Sequence, residues 1–98
     1  MGIEILDIKI PDGDRKVRAF CDVEINGMII REFRVIKENG KSPWVVAPQM
    51  SWKDPTSGQI RYRTLITLPS ELKGEVERLV LNRFAAEMEK RNAEEKKR

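Results

Sequence analysis

The sequence predicts an α+β fold: a small antiparallel β-sheet of four to five strands, followed by one long C-terminal helix. Three observations carry this. Residues 3–36 are dense in β-branched side chains and largely alternate apolar with polar, the period of a half-buried strand. Asn26-Gly27 stands between two such runs, and that pair accepts the positive φ angles of a two-residue hairpin turn. From residue 70 the apolar spacing changes to every fourth position, the stripe of an amphipathic helix.

The first run, "IEILDIKIP" (3–11), slips out of alternation between Ile5 and Leu6, which predicts a β-bulge. "DGD" (12–14) reads as a turn. "VRAFCDVEI" (17–25) and "MIIREFRVI" (28–36) flank the Asn-Gly turn, so Ile25 is expected opposite Met28. Counting on, Val23 faces Ile30, Cys21 faces Glu32, Ala19 faces Arg34 and Val17 faces Ile36. The other side sets Phe20 against Phe33 and Asp22 against Arg31, an aromatic pair and an ion pair. This register leaves Arg34 on the more apolar face, to be paired with an acid such as Glu32 or turned out by a bulge. Neither face is wholly polar, so the sheet calls for two covers. The helix supplies one, and a second subunit is expected to supply the other.

"NGKSP" (39–43) is a turn, and "WVVA" (44–47) a short strand. Pro48, Pro55 and Gly58 predict an irregular loop over 48–59, ordered at its ends by the prolines and mobile between them, with "IRYRTLIT" (60–67) as the last strand. The helix is expected to start with Ser70 as N-cap and Glu71 in the first turn. Its stripe is Leu72, Val76, Val80, Phe84 and Met88, with Leu79 beside it. Residues 1–92 form a single domain, and the charged tail 93–98 has nothing to pack and is expected to fray.

At 98 residues the core is thin, which favours a homodimer. The net charge of +3 is small, but its distribution is uneven. Residues 41–69 hold four basic residues and one acidic, whereas the rest of the chain is nearly balanced. One cysteine excludes an internal disulfide and suits a reducing, cytoplasmic setting. No apolar run is long enough to span a bilayer, and no signal peptide is read at the start.

The chain has no histidine, which removes the commonest general base and metal ligand. Cys21 reads as a small core residue, and the Asp12/Asp14 pair as part of a turn rather than a calcium loop. The glycines stand singly, with no phosphate-cradling loop. No enzyme activity, cofactor, metal or small-molecule substrate is therefore expected.

The run "VRAFCDVEINGMIIREFRVIKENGKSPWVVAP" leads to a Pro–Gly loop, an arginine-bearing strand and "LPSELKGEVERLVLNRF". In this order the chain resembles the SpoVG family, the stage V sporulation protein G or septation regulator proteins. Arg18-Ala19, Arg34-Val35-Ile36, Gly40, Val46-Ala47, Ser51, Pro55, Gly58, Arg61 and Leu68-Pro69 fall in register with that family's pattern, from Ile5 to about Glu89. Trp52-Lys53 stands where the family has Lys-Arg. The resemblance implies a dimeric α+β regulator that binds nucleic acid, DNA or RNA.

Lys53, Arg61 and Arg63 are the candidate phosphate contacts, and Trp52 the candidate base-stacking platform. Each has a plainer reading beside it. Arg61 and Arg63 fit a solvated strand face, and Trp52 fits a core or interface aromatic. Arg78 and Arg83 read as solvated helix positions. The rival function is a protein-interaction or scaffolding module acting through the sheet face or the helix.

Overall fold

The computed structural model describes residues 2–13 and 15–96; Asp14 of the "DGD" turn and Lys97-Arg98 of the tail lie outside the described residues. The elements follow the expected order, sheet first and helix last. They are β1 (Ile3–Lys9), β2 (Val17–Ile25), β3 (Met28–Ile36), β4 (Trp44–Val46), β5 (Gln49–Lys53), β6 (Ile60–Thr64) and α1 (Ser70–Lys96). The first four form one antiparallel sheet in chain order, and β5 and β6 pair as a separate two-stranded ribbon. The fold is α+β.

The β2–β3 hairpin turns on Asn26 and Gly27, at φ +49° and +88°, and Ile25 sits opposite Met28 as the turn requires. Asn26 also anchors the chain start: its amide donates to the Gly2 carbonyl at 2.8 Å, and its Oδ1 accepts from the Gly2 amide at 3.0 Å. The bulge expected between Ile5 and Leu6 is present, with the pairing of β1 on β2 stepping from Ile5↔Val23 to Asp7↔Asp22. Leu6 is the extra residue, and Ile8 returns to the inner face opposite Cys21.

Beyond Val23 the hairpin register differs from the simple count. Cys21 faces Phe33, Phe20 faces Arg34 and Ala19 faces Val35, because β3 carries an extra residue opposite Asp22. The cause is a difference in burial energies. Unbulged, Glu32 and Arg34 point at the core and Phe33 at solvent; a one-residue step exchanges all three. Burying Phe33 gains about 1.5–3 kcal/mol, and a bare carboxylate in the core costs far more. Against this stands about 1–2 kcal/mol for placing Glu32 in the left-handed region, where its φ is +67°. Asp22 secures the step, accepting from the Glu32 amide at 3.2 Å and from Arg31 Nη1 at 3.0 Å. Asp22 and Arg31 pair as expected, and Arg34 is turned out, its guanidinium carbon 5.6 Å from the Phe20 ring centre. A second irregularity at Arg18 restores Val17 opposite Ile36.

The inner sheet face contributes Ala19, Cys21, Val23, Ile25, Ile30, Phe33, Val35 and Val45 to the core. Val76, Val80 and Phe84 of α1 cover it, flanked by Leu72, Leu81 and Met88. Leu81 packs beside the stripe, whereas the leucine expected there, Leu79, is half-buried. One further expectation about the helix is corrected. Its first i→i−4 bond runs from the Lys73 amide to the Pro69 carbonyl at 2.8 Å, so Ser70 is the first residue inside the helix and not its cap. A proline has no amide to lose at that point and keeps a carbonyl to offer. The helix runs through Lys96, and Lys97 and Arg98 of the tail lie outside the described residues.

Candidate nucleic-acid interface

The stretch read as an irregular loop, 48–59, opens with a strand, β5, and only 54–59 is a turn and loop. Gln49–Lys53 pairs with Ile60–Thr64 in the register Gln49↔Thr64, Met50↔Arg63, Ser51↔Tyr62, Trp52↔Arg61 and Lys53↔Ile60. Pro48 is buried, and its carbonyl accepts the Leu65 amide at 2.9 Å, which closes the base of the ribbon. At the tip, Asp54 organises the connection. Its backbone amide donates to the Gln59 carbonyl and its own carbonyl accepts from Gly58, both at 2.8 Å. Its Oδ1 accepts from the Thr56 amide at 2.8 Å and the Ser57 amide at 3.4 Å, an Asx turn. Gly58 takes φ +75° there. Arg61 Nε donates to Asp54 Oδ2 at 2.7 Å, so the tip is tied to β6. The Arg61 bond, and then the Thr56 and Ser57 amides, hold the Asp54 carboxyl below its ordinary range.

The two-residue period of a strand then sorts the candidates onto two faces. Trp52 and Arg61 are directly opposite one another, and Met50 and Arg63 are the next pair on the same face. Arg61 and Arg63 project together, as expected. Lys53 does not join them: it faces Ile60 and shares the other side with Ser51 and Tyr62. Its chain passes over the turn, with Cε 3.9 Å from where a Cβ on Gly58 would stand.

All four candidate side chains are exposed, Trp52 at 42%. Their neighbours on the ribbon are also unusually bare for apolar residues: Met50 47%, Ile60 55% and Tyr62 63%. Trp52 is thus neither in the core nor alone. The charges are unequal as well. Arg61 is compensated by Asp54, whereas Lys53 and Arg63 have no carboxylate within ion-pair distance among the described residues. Arg78 and Arg83 pair along the helix with Glu75 and Glu87, which fits a solvated face. Tyr62 and Met50 were not singled out by sequence reasoning. The signal was available in "QMSWK" and "IRYRT", two alternating runs on either side of "DPTSGQ".

Cys21 is buried, and that burial, with Asp22 next to it as the second cause, pushes its thiol up to about 11, away from the nucleophilic thiolate. Among the described residues no group of three His, Cys, Asp or Glu could hold a metal ion, and no helix is long and apolar enough to cross a membrane. In comparisons with protein-family models and with curated proteins, no match is found.

Proposed function

We propose that the protein is a cytoplasmic nucleic-acid-binding regulator of the SpoVG type, working as a homodimer and using the β5–β6 ribbon as its contact surface. One observation carries the reading: a tryptophan and two arginines share one exposed face of a ribbon with no core of its own. An isolated two-stranded hairpin is marginal in water, and large exposed aromatics on it favour a ligand that covers them. The indole face of Trp52 suits an unpaired base, and Arg61, Arg63 and Lys53 suit phosphates on either side. Arg63 and Lys53 carry the greater share, because Arg61 must exchange Asp54 for a phosphate. The sequence resemblance points to the same class of ligand. No bond is made or broken in this role. The buried free thiol of Cys21 is consistent with a reducing compartment.

The test is a titration of labelled single-stranded DNA, duplex DNA and RNA at two salt concentrations. It compares the natural protein with a Lys53→Gln/Arg61→Gln/Arg63→Gln variant. The variant is expected to bind more weakly across sequences, with its log–log salt slope flatter by about 0.7–0.9 for each phosphate no longer neutralised. Its melting temperature should hold, since exposed charges contribute little to stability. Absence of binding, or binding indifferent to salt and to these substitutions, overturns the reading in favour of a protein partner.

A further inference from the structure

The outer face of the four-stranded sheet, which α1 does not cover, is ordered by charge along its length. Nearest the Asn26-Gly27 turn, Glu4 pairs directly with Glu24, and in the next row Asp7 pairs directly with Asp22. The middle row runs Lys9, Phe20, Arg34, Val46 across all four strands. The last row is Val17, Ile36, Trp44, and below it Arg15, Lys16, Arg18 and Lys37 surround one depression with Glu38 and Asn39. Acid lies at one end, base at the other, and apolar side chains that are half-buried or, at Trp44, exposed lie between them.

Like charges directly opposite on neighbouring strands are unfavourable, and here two such pairs stand in successive rows. Among the described residues, Arg31 pairs with Asp22 and with no other carboxylate. A lone protomer therefore leaves its acidic end repelling itself and its apolar middle wet. A second copy, turned half a revolution about an axis that crosses the strands between the Phe20–Arg34 row and the Val17–Ile36 row, sets each acidic end against the other's basic end and closes these two rows on one another. We infer that this face is the homodimer interface, packed antiparallel through charge complementarity. The inference rests on the homodimer reading above and names its surface. A polyanion is the weaker fit, because it satisfies the basic end and is repelled by the acidic one. Four strands about 4.8 Å apart and some seven residues long give a face of about 19 by 23 Å. That is at the small end for a specific contact, so the dimer is reversible and weakened by salt.

Sedimentation at micromolar protein in low salt is expected to give a species of twice 11.4 kDa that dissociates as salt rises. Two charge-reversed variants sharpen the test: Glu4→Lys/Asp7→Lys at the acidic end and Arg15→Glu/Lys37→Glu at the basic end. Each alone should lose at least about tenfold in dimer affinity, because like charges then meet across the interface. An equimolar mixture of the two should recover it. The acidic-end variant should melt no lower than the natural protein, because it removes repulsion within the sheet. A dimer that ignores both reversals overturns the surface assignment alone. A natural protein that stays at 11.4 kDa overturns the homodimer itself; loss of oligonucleotide binding by the basic-end variant then assigns the face to nucleic acid. The ribbon reading is tested separately, by the Lys53/Arg61/Arg63 titration.

Discussion

β2 and β6 are written in the same alternating code and come to opposite ends. In β2 the inward set Ala19, Cys21, Val23 and Ile25 is at most 1% exposed, under the Val76, Val80 and Phe84 stripe of the helix. In β6 the corresponding set, Ile60 and Tyr62, stays 55% and 63% exposed, and no residue of the strand is buried. Alternation specifies a face, but only a cover makes that face a core. The sheet and helix hold the protein together, whereas the ribbon contributes little to that and keeps its Trp, Tyr and Arg side chains available for contact. A residue's type does not decide between those roles; its neighbours do.

That contrast can be tested by three substitutions. Phe84→Ala strikes the body, where the ring is 8% exposed. It should cost about 3–5 kcal/mol in denaturant unfolding. A small loss there, with binding abolished, places Phe84 on the working surface and erases the distinction.

Trp52→Ala strikes the ribbon. Single-strand affinity should fall by about 1–3 kcal/mol for a stacked base, more than duplex affinity, with the melting temperature nearly unchanged. A variant that instead unfolds several degrees lower makes the ribbon part of the stabilising core.

Asp54→Ala is the mildest. It should speed hydrogen exchange at the Thr56, Ser57 and Gly58 amides without moving the global melting temperature. Acid does the same to the natural protein. The Asp54 carboxyl is held below its ordinary range, so its contribution to the turn is complete above the unfolded carboxylate range near about 3.9 and is lost as pH falls through the lowered value. Opening of the tip on raising pH from neutrality reverses the assigned sign.

Much of the body was legible because each signal was local. Asn26-Gly27 carries its own turn geometry, the Ile5/Leu6 slip carries its bulge, and the spacing of Val76, Val80 and Phe84 carries the helix face. The Asp22–Arg31 pair followed from a two-residue turn. The misreadings have a shared cause. The Glu32 bulge, the strand character of 49–53 and the start of the helix one residue earlier all depend on competition between alternative pairings that residue spacing alone does not rank. For the candidate site, the grouping of Arg61 with Arg63 was readable from a period of two. The separation of Lys53 from them required the register, and the neutralisation of Arg61 by Asp54 required the turn to close.

By itself, then, the sequence determined the class of fold, the central hairpin, the helix that covers one sheet face and the absence of histidine chemistry. Each of these follows from residue type and spacing over a few positions. Only the tertiary structure decided which alternating strands receive a cover, that Phe33 goes in where Glu32 and Arg34 go out, and that the outer sheet face runs from acid to base. These depend on pairing partners distant along the chain, such as Glu4 with Glu24 and Trp52 with Arg61, and register converts one residue of offset into the opposite face.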